Sequence, residues 1–434
     1  MRYHSTRDAT HVAGLGEAIA RGLAPDGGLY VPDALPALDT VALGRTTGLA
    51  ALAAALVRPF AEGDAMLPLV DDIVHDAFNF PAPVVDVEGA AGSLSVLELF
   101  HGPTAAFKDF GARFLAATLE RLPSPDPRRL TILVATSGDT GGAVAAAFYD
   151  RPWVDVVVLY PQGLVSPRQE KQLACWGRNV RTLAVQGTFD DCQRIVKEAF
   201  VDPALGRGHR LSSANSINVG RLLPQMVYYA RSSLDLAARD GRPPNYIIPT
   251  GNLGNALACA WAREAGLPIG DIVLACNANA TIPDFLRTGE WRPRPSVATL
   301  ASAMDVGNPS NMERLRTLYP EPAALARRVS AELVTDDEIR ATVRRDHAEL
   351  GQTWCPHTAT AAAVWRRLPA ARLAERWVLV ATAHPAKFND IVEPLIGESV
   401  PVPPALAALL ALPSIQRVVE PRIDALRSVL GEAA

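Results

Sequence analysis

The sequence predicts an α/β protein built on mostly parallel sheets, preceded by a mainly helical segment. Three observations lead there. From about Leu94 onward, short β-rich apolar runs alternate with amphipathic stretches; turn residues bound each run; and the first ninety or so residues carry alanine-rich amphipathic runs instead. Such alternation argues for strand–helix–strand units, whose parallel strands are covered on both faces and so read as continuous apolar runs.

In chain order, the front segment contains a turn at Pro25-Asp26-Gly27-Gly28 and a helical run over Gly48–Leu56. Strands are predicted at Leu130–Ala135, Val154–Tyr160, Val180–Val185, Tyr246–Ile248, Asp271–Cys276 and Trp377–Ala381. Each is rich in β-branched residues and too short for a stable helix. Helices are expected between them, at Ala143–Phe148, Pro167–Trp176, Asp190–Phe200, Val219–Ala238 and Ala256–Ala265. The proline-rich stretch Arg292–Pro295 and the region of Pro320–Pro322 read as connections. The expected division is a helical segment over 1–93, a smaller α/β unit over 94–235 and a larger one over 236–434.

Composition narrows the function. The chain has 434 residues, 49% of them hydrophobic, with 42 basic and 46 acidic side chains and a formal net charge of −4. That balance argues against disorder and leaves no basic footprint for nucleic acid. The first residues lack the apolar core and cleavage site of a secretory signal. The longest uncharged apolar stretch, Ser399–Gln416, is interrupted by four prolines and cannot be a spanning helix, so no membrane partner is expected. Five widely spaced cysteines without a CxxC pair support neither a disulfide framework nor a zinc site. No metal is expected, and a reducing cytoplasm fits best.

Only Lys108, Lys171, Lys197 and Lys387 are lysines; the other basic residues are arginines. Arginine cannot form a Schiff base, so amine chemistry has four candidates. Lys108 follows the run LELFHGPTAAF, where a helix is expected to start near Ala105, and phenylalanines flank it. A positive helix end and partial desolvation both disfavour the ammonium form there. Lys171 and Lys197 lie in polar or mid-helix settings and Lys387 in a loop, where solvated or structural roles suffice.

Two segments share one design, an apolar strand running into a small-residue turn and then a helix. They are TILVATSGDTGGAVAAAF, with its turn at Thr136–Gly142, and YIIPTGNLGNALACAWA, with its turn at Thr250–Asn255. Such turns fall at the carboxyl ends of parallel strands, where backbone N–H groups and a helix N-terminus suit an anion. Glycine and aspartate also simply make good turns, but two such turns in one chain point to two anionic groups. No dinucleotide or nucleoside triphosphate signature is present. A nucleophilic lysine and two anion sites together fit pyridoxal phosphate chemistry, which needs an amine, a phosphate cradle and a site for the substrate carboxylate.

The ordered motifs GLAPDGGLYVP, HGPTAAFKDF, TSGDTGGA, NSINVGRLLPQ, PTGNLGN, NPSNMERL and ATAHPAKF run from Gly22 to Phe388, and through them the chain resembles the threonine synthases of the longer kind. The resemblance implies the tryptophan synthase β-like pyridoxal phosphate fold (fold type II), with two parallel-sheet α/β domains. It implies conversion of O-phospho-L-homoserine and water to L-threonine and phosphate by γ-elimination and β-addition. Position by position, it implies Lys108 as the Schiff-base lysine and Gly251, Asn252, Leu253, Gly254 and Asn255 as the cofactor phosphate cradle. Thr382 would meet the pyridine nitrogen. Asp139 would meet the cofactor's 3-hydroxyl, with Ser137, Gly138 and Thr140 in the loop for the substrate carboxylate. Ser216, Asn218 and Arg221 would hold the substrate phosphate. Asp8, Leu253 and Cys355 depart from the usual pattern. A phospho-lyase releasing 2-oxobutyrate, a related dehydratase and a non-catalytic binding protein are the alternatives, and a monomer or homodimer is expected.

Overall fold

The structure, a computed structural model, describes residues 1–124 and 126–431. Fourteen strands occur among them: β1 Tyr3–Ser5, β2 Val12–Ala13, β3 Tyr30–Pro32, β4 Val84–Asp86, β5 Ser93–Glu98, β6 Leu130–Ala135, β7 Val154–Pro161, β8 Val180–Val185, β9 Arg210–Ser213, β10 Asn245–Pro249, β11 Ile272–Cys276, β12 Val329–Leu333, β13 Arg376–Ala381 and β14 Arg417–Val419. They form three sheets. A small antiparallel sheet has the order β2-β1-β3; a six-stranded sheet runs β12-β11-β10-β13-β5-β4; a five-stranded sheet runs β14-β8-β7-β6-β9. The five-stranded sheet is parallel throughout, and in the six-stranded one only the β4–β5 pair is antiparallel.

The predicted strands appear where the apolar runs lie. In β6 every side chain is buried, and in β10 and β11 likewise, as expected for strands with helices on both faces. Helix starts follow local chemistry. Ser166 and Gln169 form a capping box ahead of the helix Pro167–Ala174, and Thr188 with Asp191 does the same for Phe189–Val201.

The expected division needs two corrections. β5 opens the stretch assigned to the smaller unit, yet it pairs with β13 from Arg376↔Ser93 to Ala381↔Glu98 and so belongs to the larger sheet. β14, from the far end of the chain, returns to the smaller sheet beside β8. A short apolar run carries no label for the sheet that accepts it; register with a distant partner decides. The front segment holds the helices Leu15–Arg21, Thr40–Gly44, Leu49–Val57 and Val70–Ala77, and also the three-stranded sheet. Residues 432–434 of the expected larger unit lie outside the described residues. No helix among the described residues is long and apolar enough to cross a membrane.

Candidate active site

A cleft between the two larger sheets gathers the strand-end turns. Its walls include Lys108, Asp139, Ser216, Arg221, the run Thr250–Ala256, His357 and Thr382. Each arrives there for a local reason.

Lys108 is the first residue of the helix Lys108–Arg121, three residues later than the expected start. Thr104 delays it. The Thr104 hydroxyl donates to Asp109 Oδ1 at 2.7 Å and its N–H to Oδ2 at 2.8 Å, closing a tight loop in which Ala105 takes a left-handed φ of 54°. That loop is stitched to the end of β13: Phe107 N–H donates to the Thr382 carbonyl at 2.9 Å and His384 N–H to Ala105 at 3.0 Å. Lys108 and Thr382 therefore face one cleft. Lys108 Nζ lies 4.5 Å from the centre of the Phe107 ring, and among the described residues no hydrogen bond reaches it. Desolvation, and then the nearby Arg221 cation, lower its pKa to about 8, with Asp139 acting the other way.

The turn after β6 is held by Thr136, whose Oγ1 accepts from Gly138 N–H at 3.0 Å and Gly141 N–H at 2.9 Å. Gly138 has φ 137°, and a Cβ there would meet Gln169 Nε2 at 2.5 Å, so the close approach requires glycine. The helix Asp139–Phe148 follows at once, four residues earlier than expected. The Asp139 side chain turns into the cleft wall.

The turn after β10 is tighter. A Cβ on Gly251 would lie 2.7 Å from Met304 Cα, and Leu253 adopts a left-handed φ of 65° before the helix Gly254–Glu264 begins. Asn252 Nδ2 donates to Ser216 Oγ at 2.6 Å, while its Oδ1 accepts from Ser310 N–H at 2.6 Å. Asn255 Oδ1 accepts from the hydroxyls of Tyr228 (2.6 Å) and Tyr229 (2.8 Å). That leaves Asn255 Nδ2 buried without a partner.

Arg221 is 2% exposed and touches no carboxylate; one terminal nitrogen donates to the Ala214 carbonyl and Nε has no partner. Burial lowers its pKa to about 10, which leaves it charged, with Asp109 opposing the shift. His357 is also buried in the cleft wall, and its Nε2 accepts from Ala303 N–H at 3.1 Å, which places the ring proton on Nδ1. Desolvation, partly offset by Asp139, lowers its pKa to about 4.

Ten of the expected residues thus share one cleft: Lys108, Asp139, Ser216, Arg221, Gly251, Asn252, Leu253, Gly254, Asn255 and Thr382. Ser137, Gly138 and Thr140 stand in the turn beside it without forming its wall. Asn218 is the clear departure. It is fully buried, its Nδ2 donates to the Ile19 carbonyl at 2.9 Å and its Oδ1 accepts from Gly220 N–H at 2.8 Å, so it caps a helix and anchors the front segment. Of the three unusual positions, Asp8 accepts from its own neighbour Thr10, Leu253 supplies the left-handed turn, and Cys355 accepts from Thr358 N–H as a helix cap.

Sequence reasoning missed Lys387. It is 1% exposed, ion-paired to Asp139 Oδ1 at 2.7 Å, and donates to the Thr104 carbonyl at 2.8 Å. Burial alone would raise the Asp139 carboxyl, but Lys387, His357 and the Gln169 amide hold it below the usual range. The signal available was the rarity of lysine together with its apolar neighbours Ala386 and Phe388.

The donor set fits pyridoxal phosphate. Lys108 is a free amine, Asn255 Nδ2 is a buried donor without an acceptor, Arg221 lends a charged guanidinium to the same wall, and the carboxylate on that wall, Asp139, already has a cation. Comparison with known proteins agrees. A family described as pyridoxal-phosphate dependent enzyme matches residues 78–383, the threonine synthase N terminus matches 2–78, and the threonine synthase C-terminal family matches 358–430. Threonine synthase of Escherichia coli (strain K12) is 38% identical over 432 residues, 99% of each chain. The crystal structure of an Escherichia coli threonine synthase superposes with a TM-score of 0.90 at 37% identity, covering 99% of both chains. A pyridoxal phosphate-bound threonine synthase from Brucella melitensis gives a TM-score of 0.90 at 33% identity, covering 99% of this chain and 98% of that one. Full-length similarity and a cleft whose spare groups are an amine and two anion donors lead to one statement: the chain belongs to the pyridoxal-phosphate-dependent threonine synthases.

Proposed function

We propose that this enzyme converts O-phospho-L-homoserine and water to L-threonine and phosphate, with Lys108 as its reacting amine. The observation that carries the reading is the partnerless Lys108 amine in one cleft with the spare donor of Asn255 and the buried guanidinium of Arg221. Bound pyridoxal phosphate supplies the electron sink that acidifies the carbon beside an amino acid's nitrogen. In this reading Gly251–Asn255 hold the cofactor phosphate through backbone N–H groups and Asn255 Nδ2. Thr382 would offer a neutral hydroxyl to the pyridine nitrogen, and Asp139 would meet the cofactor's 3-hydroxyl.

Lys108 would hold the cofactor through its aldehyde, and its Nζ, with a pKa lowered to about 8, is a base suited to moving protons at the substrate's Cα and then Cβ. Arg221 and Ser216 bind the phosphate that leaves from Cγ. Arg221 carries charge without a protein carboxylate, so its hydrogen bonds strengthen as negative charge develops on the leaving oxygen. The turn Ser137–Thr140 receives the substrate carboxylate. Asn218 acts behind this set, by fixing the helix that carries Arg221.

The enzyme works as a monomer or a homodimer, and the residues given roles above lie together on one chain. The five cysteines are buried and unpaired, which supports placing the reaction in the reducing cytoplasm.

Incubation with O-phosphohomoserine tests the reading. Threonine and phosphate should appear in equal amounts, and Lys108→Ala should abolish both while the protein stays folded. Release of 2-oxobutyrate in place of threonine, or turnover retained in Lys108→Ala, would overturn it.

A further inference from the structure

We propose that Lys387 is a positioning residue of this reaction, one that neutralises Asp139 at the cleft wall and so keeps Lys108 from acquiring a counter-ion. The inference rests on the reading of Lys108 as the reacting amine. Lys387 lies in the 3-10 turn Pro385–Phe388 beyond β13, in the larger sheet's unit, whereas Asp139 opens the helix after β6 in the smaller one. Their 2.7 Å contact therefore spans the two units.

The surroundings leave this pair little freedom. Gln169 Nε2 donates to Asp139 Oδ1 at 3.0 Å, and Gln172 Nε2 to the same Thr104 carbonyl that Lys387 uses, also at 3.0 Å. The Ser166 hydroxyl donates to the Lys387 carbonyl at 3.0 Å and Arg168 Nη1 to the Ala386 carbonyl at 2.5 Å. Burying an ammonium is costly unless it is paired and hydrogen-bonded, and here it is both.

The consequence for Lys108 is electrostatic. Asp139 shares the cleft wall with it and favours its charged form. An unpaired Asp139 would hold Lys108 as an ammonium, useless for capturing an aldehyde. With Lys387 in contact, a cation opposes the carboxylate's pull on Lys108, and desolvation and Arg221 outweigh what remains of it. The other charged or titratable groups facing this set are Asp109, held by Thr104, the buried Cys355 thiol, pushed up by desolvation, and His357 and His384, both kept neutral by burial. None of them provides a second cation within bonding distance of Asp139.

A purely structural latch would affect stability alone, so the test reads the titration of Lys108. The rate at which full-length, cofactor-free protein captures pyridoxal phosphate is followed against pH, because capture needs the neutral amine. In the unaltered protein the rate should rise through about pH 8. Lys387→Met should move that midpoint up by about one pH unit, slowing capture near neutrality by about tenfold. Lys387→Met combined with Asp139→Asn should bring it back. Lys387→Arg, which keeps the charge, should leave it in place, and Asp139→Asn alone should lower it by exposing Lys108 to an unopposed cation. Should Lys387→Met fail to fold, the last two variants decide. An unmoved midpoint in Asp139→Asn, or in a folded Lys387→Met, overturns the proposal. Turnover surviving in Lys108→Ala would instead overturn the reading of the reacting amine, so the two failures are distinguishable.

Discussion

Arg314 Nε donates to the main-chain carbonyl of Tyr30 at 3.0 Å, across 284 positions of sequence. Its other arms reach the Ile217 carbonyl at 2.7 Å and Asn311 Oδ1 at 2.8 Å, and Asn311 in turn donates to the carbonyls of Ser216 and Asn252. One fully buried guanidinium thus ties the front segment to the loops that carry Ser216 and Asn252. Burial lowers its pKa to about 9, with Glu313 opposing, so it remains a cation behind the anion site.

Arg314→Lys should therefore do more than remove a bond. One ammonium cannot serve three acceptors spread around a planar fork, and the stranded carbonyls lose their partners. We expect a loss of about 2–4 kcal/mol in urea unfolding and a several-fold higher KM for phosphohomoserine. Equal stability and KM would show the knot to be dispensable.

Arg221→Lys keeps the charge and loses the geometry. Activity measured as kcat/KM for phosphohomoserine should fall by about 10- to 100-fold, with the absorbance of bound cofactor retained. A variant that works as well as the parent would remove Arg221 from the phosphate site.

Asn255→Asp replaces a spare donor with a carboxylate oxygen while the Tyr228 and Tyr229 hydroxyls keep their acceptor. Affinity for pyridoxal phosphate should drop by about 100-fold in equilibrium dialysis, because two anionic groups would then meet in a buried site. Undiminished affinity would mean that Asn255 does not face the cofactor phosphate.

His357 makes stability depend on acidity. Its folded pKa, about 4, lies below the value near 6.5 of an unfolded histidine, so the unfolded chain binds more protons between those values. Stability contributed by the neutral ring is present above about pH 6.5 and is lost as pH falls toward 4, by up to roughly 3 kcal/mol. His357→Gln should flatten that part of the profile measured by urea unfolding at pH 7 and pH 5. An identical slope in the variant would assign the acid sensitivity elsewhere.

What could be read in advance was whatever is encoded locally. Lys108, the turn at Thr250–Asn255 and the turn after β6 announce themselves by strand, small residues and helix in succession, and the structure brings them to one cleft. Lys387 did not, because burial comes from its neighbours across the fold: Asp139 and Thr104 lie more than two hundred residues away. Asn218 sits in a motif rich in phosphate-binding residue types, yet its partner Ile19 belongs to a helix whose docking no local pattern reveals. The Val219–Ala238 run reads as one helix, whereas Pro224 interrupts it with a 3-10 turn at Leu223–Gln225, since proline offers no N–H to the preceding turn. β5 was legible as an apolar run and illegible as a member of the larger sheet.

The return of β14 to the edge of β8 imposes an order on biosynthesis. A ribosome releases β6, β7, β8 and β9 long before residues 417–419 emerge, and until then β8 presents its outer N–H and C=O groups to whatever is nearby. At about 5–20 residues per second that interval spans roughly 10–50 seconds, a period in which the nascent protein depends on dilution or on a chaperone to keep that rim from pairing with another chain.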